Sequence, residues 1–408
     1  MNIHIRNFLH NERLFSGVRY FSFLSSHLPL KSSRLTYQKR IHKTLTNAGS
    51  NFNHYRYASL FSSGDTSAWN RAVAEAERLV GYPTSFLSLR TLLSDELANV
   101  ALHVRKLVGT NHPILKTAKS FVYEGSNLQT RGLVVLLVSR AAGLPSVTEE
   151  KSLLGIYQRQ RALAEISEMI HTAYLVHRGV IDLKDIKPGD GSPEDLEFGN
   201  KMSVLSGDFL LATASQGLAK LHNTEVVELV SSAISDYTES EFMGFSVDTI
   251  NLQLTFADWL HHVYLSTGSL LAKSCQAAQI LANHSEDVQN KVFQFGKYLS
   301  VAQQLNLDLQ PFVNESYELG DAFNLCSSAV LFHIQHISQT GEVLPMLTAS
   351  NTEDYRKLFQ AVAAGPAVDK MKSELQHYVK ASLDSIEEFD ESEAKDALNN
   401  IVHSLLEL

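Results

Sequence analysis

From residue 67 onward, apolar side chains recur at intervals of three and four, and no stretch sustains the two-residue alternation of a half-buried strand. The pattern predicts a succession of α-helices packed as one domain. In the stretch beginning at Ser94, the residues Leu97, Val100, Val104, Leu107 and Val108 form one stripe, with Ser94 as N-cap and Gly109 just past the end. Pro113 opens the following helix. The same periodicity returns at Leu163, Ile166, Ile170, Ala173 and His177, where Gly179 and then Pro188, Gly189 and Gly191 supply a stop and a loop. Near the end, Asp390 precedes Glu393 by the spacing of a capping box, and Ala394, Leu398, Ile401, Val402 and Leu405 make the apolar face of a final docked helix. The breaker-rich stretches 188–193 and 338–354 are expected to be loops.

Composition agrees with this pattern. The chain of 408 residues is 44% hydrophobic and 19% charged, enough to bury a large core without disulfides or metals. Its longest apolar runs, such as 133–138, fall far short of the roughly 20 residues a membrane-crossing helix needs, so no transmembrane segment is expected. The two cysteines, Cys275 and Cys326, stand in apolar segments without ligand spacing and read as small core residues.

The first 64 residues differ from the rest. They carry nine Lys/Arg against the single acid Glu12, with much Ser and Asn and no continuous apolar core of the secretory type. That is the composition of a mitochondrial import leader, and Arg56-Tyr57-Ala58-Ser59 resembles a matrix-protease cleavage site. The chain thus divides into a leader, 1–64, and one helical domain, 65–408, destined for the mitochondrion and its matrix. Without the leader, 26 Lys/Arg face 43 Asp/Glu, a charge of −17. A body so acidic argues against a nucleic-acid partner, because phosphate contacts need clustered cations.

Two segments carry a resemblance. EMIHTAYLVHRGVID at 168–182 and FGNKMSVLSGDFLLATA at 198–214 resemble the trans-isoprenyl diphosphate synthases, and the similarity extends over nearly all of the chain after the leader. YPTSFLSLRTLLSDEL from Tyr82 and LAKSCQAA from Leu271 look like the non-catalytic subunits of animal long-chain synthases in particular. The resemblance implies an all-α isoprenoid-synthase-type bundle with a central cavity. In this family, magnesium ions held by two aspartate motifs stabilise the diphosphate that leaves the allylic substrate.

Those motifs are dismantled here. The first reads Arg178, Gly179, Val180, Ile181, Asp182: two of its three aspartate positions hold Arg178 and Gly179, and only Asp182 survives. In the second, carried by 295–311, the aspartate positions fall on Leu307, Asp308 and Pro311. Pro311 should also bend or end the helix that orients the ligands. The diphosphate grip is replaced by Ser126, Asn127, Leu128 and Gln129, with Arg131 left over, and the later Lys-Thr pair is Ser266-Thr267. The paired arginines after the first motif fall on Lys187 and Pro188. Lys297 and Gln304 match positions that face the diphosphate in relatives and read as remnants, while Tyr174, four residues before the first motif, lies where the family shapes the cavity for the growing chain.

Charge decides the chemistry. A lone carboxylate beside a fixed guanidinium is a poor magnesium site, so the chain is expected to hold no catalytic residue, metal or cofactor of its own, with Mg2+ confined to a catalytic partner. The expected role is that of the non-catalytic subunit of a heteromeric polyprenyl diphosphate synthase. It would assemble with the catalytic subunit as two copies of each and supply the ubiquinone side chain. Two other readings stand beside this one: a free-standing synthase with a rebuilt site, supported by Asp182 and Asp308, and a prenyl-lipid-binding protein that keeps the cavity. His171 and His177 flank a core face, while His261, His262, His333 and His336 lack supporting ligands in their own helices, so all are read as structural. Asp208, an acid in an apolar run, must find a partner or remain partly exposed.

Overall fold

The computed structural model describes residues 68–81, 112–113, 130–144, 152–185, 189–243, 254–313, 324–340 and 352–407, all within one compact unit. The leader and the stripe at 94–109 lie outside them. In order, the helices are α1 (Ala68–Val80), α2 (Thr130–Ala141), α3 (Gln158–His177), α4 (Pro193–Lys220), α5 (Thr224–Phe242), α6 (Phe256–Val263), α7 (Ser269–Leu281), α8 (Glu286–Val313), α9 (Ser328–Thr340), α10 (Thr352–Ala364), α11 (Ala367–Ser385) and α12 (Glu393–His403). The only strands among the described residues are two short ones, β1 (Ser152–Leu153) and β2 (Ile156–Tyr157), which form a hairpin leading into α3.

The helices begin where the sequence supplies caps. Ser192 accepts the Asp195 amide, Pro193 fills the first helical position, and Glu194 and Asp195 lie in the first turn of α4. Thr255 and Asp258 close a capping box on α6. For α12 the cap is Ser392, whose hydroxyl accepts the Lys395 amide, and not Asp390, because the helix starts at Glu393 and Ser392 immediately precedes it. Of the stretch 338–354 expected as a loop, residues 338–340 belong to α9 and 352–354 to α10, while 341–351 lie outside the described residues.

The core is layered around α2 and α7. Residues 132–138 of α2 are apolar on every side and buried, so this helix sits inside, against α1, α3, α7 and α12. Helix α7 is almost equally enclosed, between α3, α5 and α8. It approaches α8 so closely that a Cβ on Gly296 would come within 2.9 Å of the Ala272 backbone. Gln160 fixes α3 at its start: its carbonyl oxygen accepts the Tyr157 amide, and its amide group donates to the Ala278 carbonyl of α7. Both cysteines are buried, and neither forms a disulfide among the described residues.

Helix α4 behaves differently. It buries one narrow stripe, Leu196, Gly199, Ser203, Gly207, Leu210, Ala214 and Leu218, against α3. Its opposite face leaves Val204, Leu205 (51% exposed) and Phe209 in solvent, with Val180 after α3 and Phe242 (74%) at the end of α5 also exposed. No described helix is long and apolar enough to cross a membrane.

Candidate functional site

The first degraded motif begins at the C-terminus of α3. Arg178 is the C-cap, a position that favours a cation because the helix carbonyls end there. Its Nε lies 3.2 Å from Oε1 of Glu241 in the last turn of α5, and its guanidinium sits over the Tyr174 ring, 5.5 Å from the centroid. Tyr174 donates its hydroxyl to the same Glu241 oxygen at 2.7 Å and stacks on Tyr237 with ring centroids 4.2 Å apart. Where the resemblance implies a metal-binding carboxylate, the chain therefore carries a cation with its own internal counter-ion.

The neighbouring positions are no better suited to a metal. Gly179 is buried, and an added Cβ would stand 3.0 Å from the Val176 carbonyl oxygen and 3.6 Å from the Ser203 hydroxyl, which leaves little room for a longer side chain. Asp182 turns its carboxylate back to accept the Lys184 amide at 3.0 Å. Asn200 of α4 holds this loop by exchanging two 2.8 Å hydrogen bonds with the backbone of Ile181.

In the second motif Asp308 is buried and fully engaged. One carboxylate oxygen accepts the Gln304 amide at 2.8 Å, and the other accepts the Ser328 amide at 2.7 Å and its hydroxyl at 2.9 Å. Ser328 opens α9, so Asp308 serves as an N-terminal cap supplied from another helix. Leu307 is half-buried, and α8 continues through Pro311 to Val313. Pro311 has no N–H to give the Leu307 carbonyl.

The positions that the resemblance places toward the diphosphate have varied surroundings. Lys297 lies between the Tyr264 and Tyr298 rings, 5.7 and 6.0 Å from their centroids. Ser266 is buried in a π-helical turn, Tyr264–Gly268, and its hydroxyl makes no hydrogen bond within the described structure. Leu128, Gln129, Lys187 and Pro188 lie outside the described residues. Arg131 contacts Nε2 of His171 at 2.8 Å. A guanidinium only donates, so Nε2 accepts and the imidazole carries its proton on Nδ1. Burial, reinforced by the Arg131 charge, keeps the His171 pKa well below its ordinary value, and the ring stays neutral. Beside it Glu168, also buried, accepts the Gly132 amide at 2.6 Å.

His177 is less enclosed than a core residue. It pairs with Asp208 at 3.2 Å, and Asp208 stays largely exposed. The His177 ring presses on the backbone of α4 at Gly207, where a Cβ would fall 2.2 Å from Nε2. The Gly207-Asp208 pair thus serves helix packing. Among the described residues, no three His, Cys, Asp or Glu side chains converge as a metal site would require. The donors available at the two motifs do not fit magnesium, which wants carboxylates free to reach it and no guanidinium at close range.

Glu241, Tyr237 and Ser328 decide what the remnant side chains do, yet none belongs to a recognisable motif. Their partners lie far along the chain, 67 residues away for Tyr174 and Glu241 and 20 for Asp308 and Ser328. No local spacing announces such pairs.

Comparison with known proteins places this arrangement among relatives. Residues 113–364 match the polyprenyl synthetase family. The chain is 45% identical over 358 residues, 84% of its length and 89% of the relative's, to the Homo sapiens protein named all trans-polyprenyl-diphosphate synthase PDSS2. It is 28% identical to a probable hexaprenyl pyrophosphate synthase, mitochondrial, of Yarrowia lipolytica, across 83% of this chain and 88% of that one. Among solved structures, geranylgeranyl pyrophosphate synthase from Bacteroides thetaiotaomicron superposes with a TM-score of 0.61 at 18% identity. That superposition covers 83% of this chain and all of the other, and it shares the all-α isoprenoid synthase fold.

Proposed function

We propose that this chain, which belongs to the polyprenyl synthetase family, is the non-catalytic subunit of a trans-polyprenyl diphosphate synthase. The observation that carries the reading is the fate of the motif positions: Arg178 is paired with Glu241, and Asp308 caps α9, so neither is free to build a magnesium-diphosphate cluster. Ionising an allylic diphosphate requires stabilising a large leaving anion, and electrostatic stabilisation is usually the largest part of such a rate enhancement. A chain without it contributes through assembly. The catalytic partner retains both aspartate motifs, binds Mg2+ and extends an allylic diphosphate with isopentenyl units to make the ubiquinone side chain.

The exposed face of α4 suits that role. Val204, Leu205 and Phe209 are exposed apolar side chains on a long helix that buries only a narrow stripe of itself, and Phe242 is a further exposed one on α5. Contact with a homologous partner would remove these side chains from water, which is the main favourable term in association. The reading includes two copies of each chain and residence in the mitochondrial matrix; the basic composition of 1–64 and the mitochondrial relative support the location.

The test is to express the chain alone and together with a synthase chain bearing both aspartate motifs, then measure magnesium-dependent polyprenyl diphosphate formation and the mass of the complex. The lone chain should give no product, and the pair should co-purify and turn over. Turnover by the lone chain would refute the reading.

A further inference from the structure

Helices α3 and α5 both pack along α7, yet they meet each other through side chains more than through backbone. Two rings fill the interval: Tyr174 of α3 and Tyr237 of α5 lie nearly parallel, their planes 7° apart and their centroids at 4.2 Å. Tyr237 is the more enclosed of the two, with 3% of its surface exposed. Burial pushes the pKa of its hydroxyl upward, Arg131 of α2 opposes that shift, and Tyr174 and Glu168 of α3 add to it, so the hydroxyl lies among side chains of α2 and α3.

Both rings are held in place. Asp236, the residue before Tyr237, pairs with Lys273 of α7 at 2.5 Å, the same carboxylate oxygen accepts the Ser269 hydroxyl, and Lys273 also donates to Ser232 at 2.8 Å. The side chains of Asp236 and Lys273 are only 17% and 12% exposed, so parting them would strand a desolvated charge. Helix α5 is thereby kept from rolling Tyr237 out of the interior. On the other side, the Tyr174 hydroxyl is bonded to Glu241, and the Arg178 guanidinium, paired with the same carboxylate, covers the Tyr174 ring.

We propose that the Tyr174–Tyr237 stack plugs the space between α3, α5 and α7 against a prenyl tail, with Tyr237 as the residue that decides the exclusion. A hydrocarbon tail needs a passage lined mainly by apolar groups. Here the rings occupy the interval, and beside the Tyr237 hydroxyl stand the charged side chains of Arg131 and Glu168. The consequence for synthesis rests on the subunit reading above: the growing tail is housed wholly by the catalytic chain.

The experiment titrates the full chain with radiolabelled geraniol, comparing wild type with Tyr237→Ala, Tyr237→Phe and Tyr174→Leu. Wild type and Tyr237→Phe, which keeps the ring, should show no saturable uptake. Tyr237→Ala should take up at least about tenfold more than either at the same ligand concentration, and added geraniol should raise its melting midpoint alone. Tyr174→Leu removes the other ring but keeps apolar bulk; it should show a smaller gain of the same kind, and it carries the test if the alanine variant fails to fold. Saturable binding by the wild-type chain would overturn the plug, as would folded ring-removal variants that bind no better than wild type. Neither result touches the subunit reading, which turnover and co-purification decide separately.

Discussion

Asp308 shows at the scale of one residue how a buried carboxylate can serve structure. Its carboxylate is desolvated, but three donors compensate for that, two of them at the start of α9. Asp308→Ala would strand the Ser328 amide and hydroxyl and should lower unfolding free energy by about 2 kcal/mol, read from denaturant midpoints. A residue kept as a vestigial metal ligand would instead tolerate the change. Arg178 makes the complementary point: a guanidinium at a helix C-terminus is favoured by the local field, so where the resemblance implies a metal ligand the chain carries a cap.

Among the helices, α4 stands apart because its buried stripe mixes leucines with Gly199, Ser203, Gly207 and Ala214, and its outer face exposes Val204, Leu205 and Phe209 among polar residues. Gly207 lets the His177 ring lie on the helix backbone, which draws α3 and α4 together and leaves the wide side of α4 outward. Leu205→Asp and Phe209→Asp change side chains already 51% and 42% exposed, so each should alter the stability of the lone chain by no more than about 0.5 kcal/mol. Both should abolish co-purification with the catalytic chain. Retained association after both changes would remove α4 from the interface. Helix period announced α3 and α12 in the sequence, whereas the N-cap of α12 and the ends of the 338–354 loop came out differently. Terminal residues are settled by which side chain reaches the first free amides, and periodicity is silent about that.

Three histidines, His171, His112 and His284, are held toward the neutral form by burial. His171 is held well below its ordinary pKa by burial and then by Arg131, and burial also lowers His284 and His112. The unfolded chain takes up protons as pH falls through about 6.5, while the folded chain does not. Stability is therefore intact above that value and lost as pH drops below it. Between about pH 7.5 and about pH 5.5 the urea midpoint should fall, with His171 alone contributing about 1 kcal/mol per pH unit below 6.5, and His171→Gln should flatten that part of the profile. A profile that rises toward acid would contradict the neutral buried imidazole. At this scale the sequence by itself determined that the protein is helical and suggested the reading of two dismantled aspartate clusters, because helical period and ligand spacing are both written in neighbouring residues of one helix. Only the tertiary structure decided what the leftover side chains do. Glu241 answers Arg178, and Ser328 answers Asp308, across helices whose mutual placement is set by packing throughout the core.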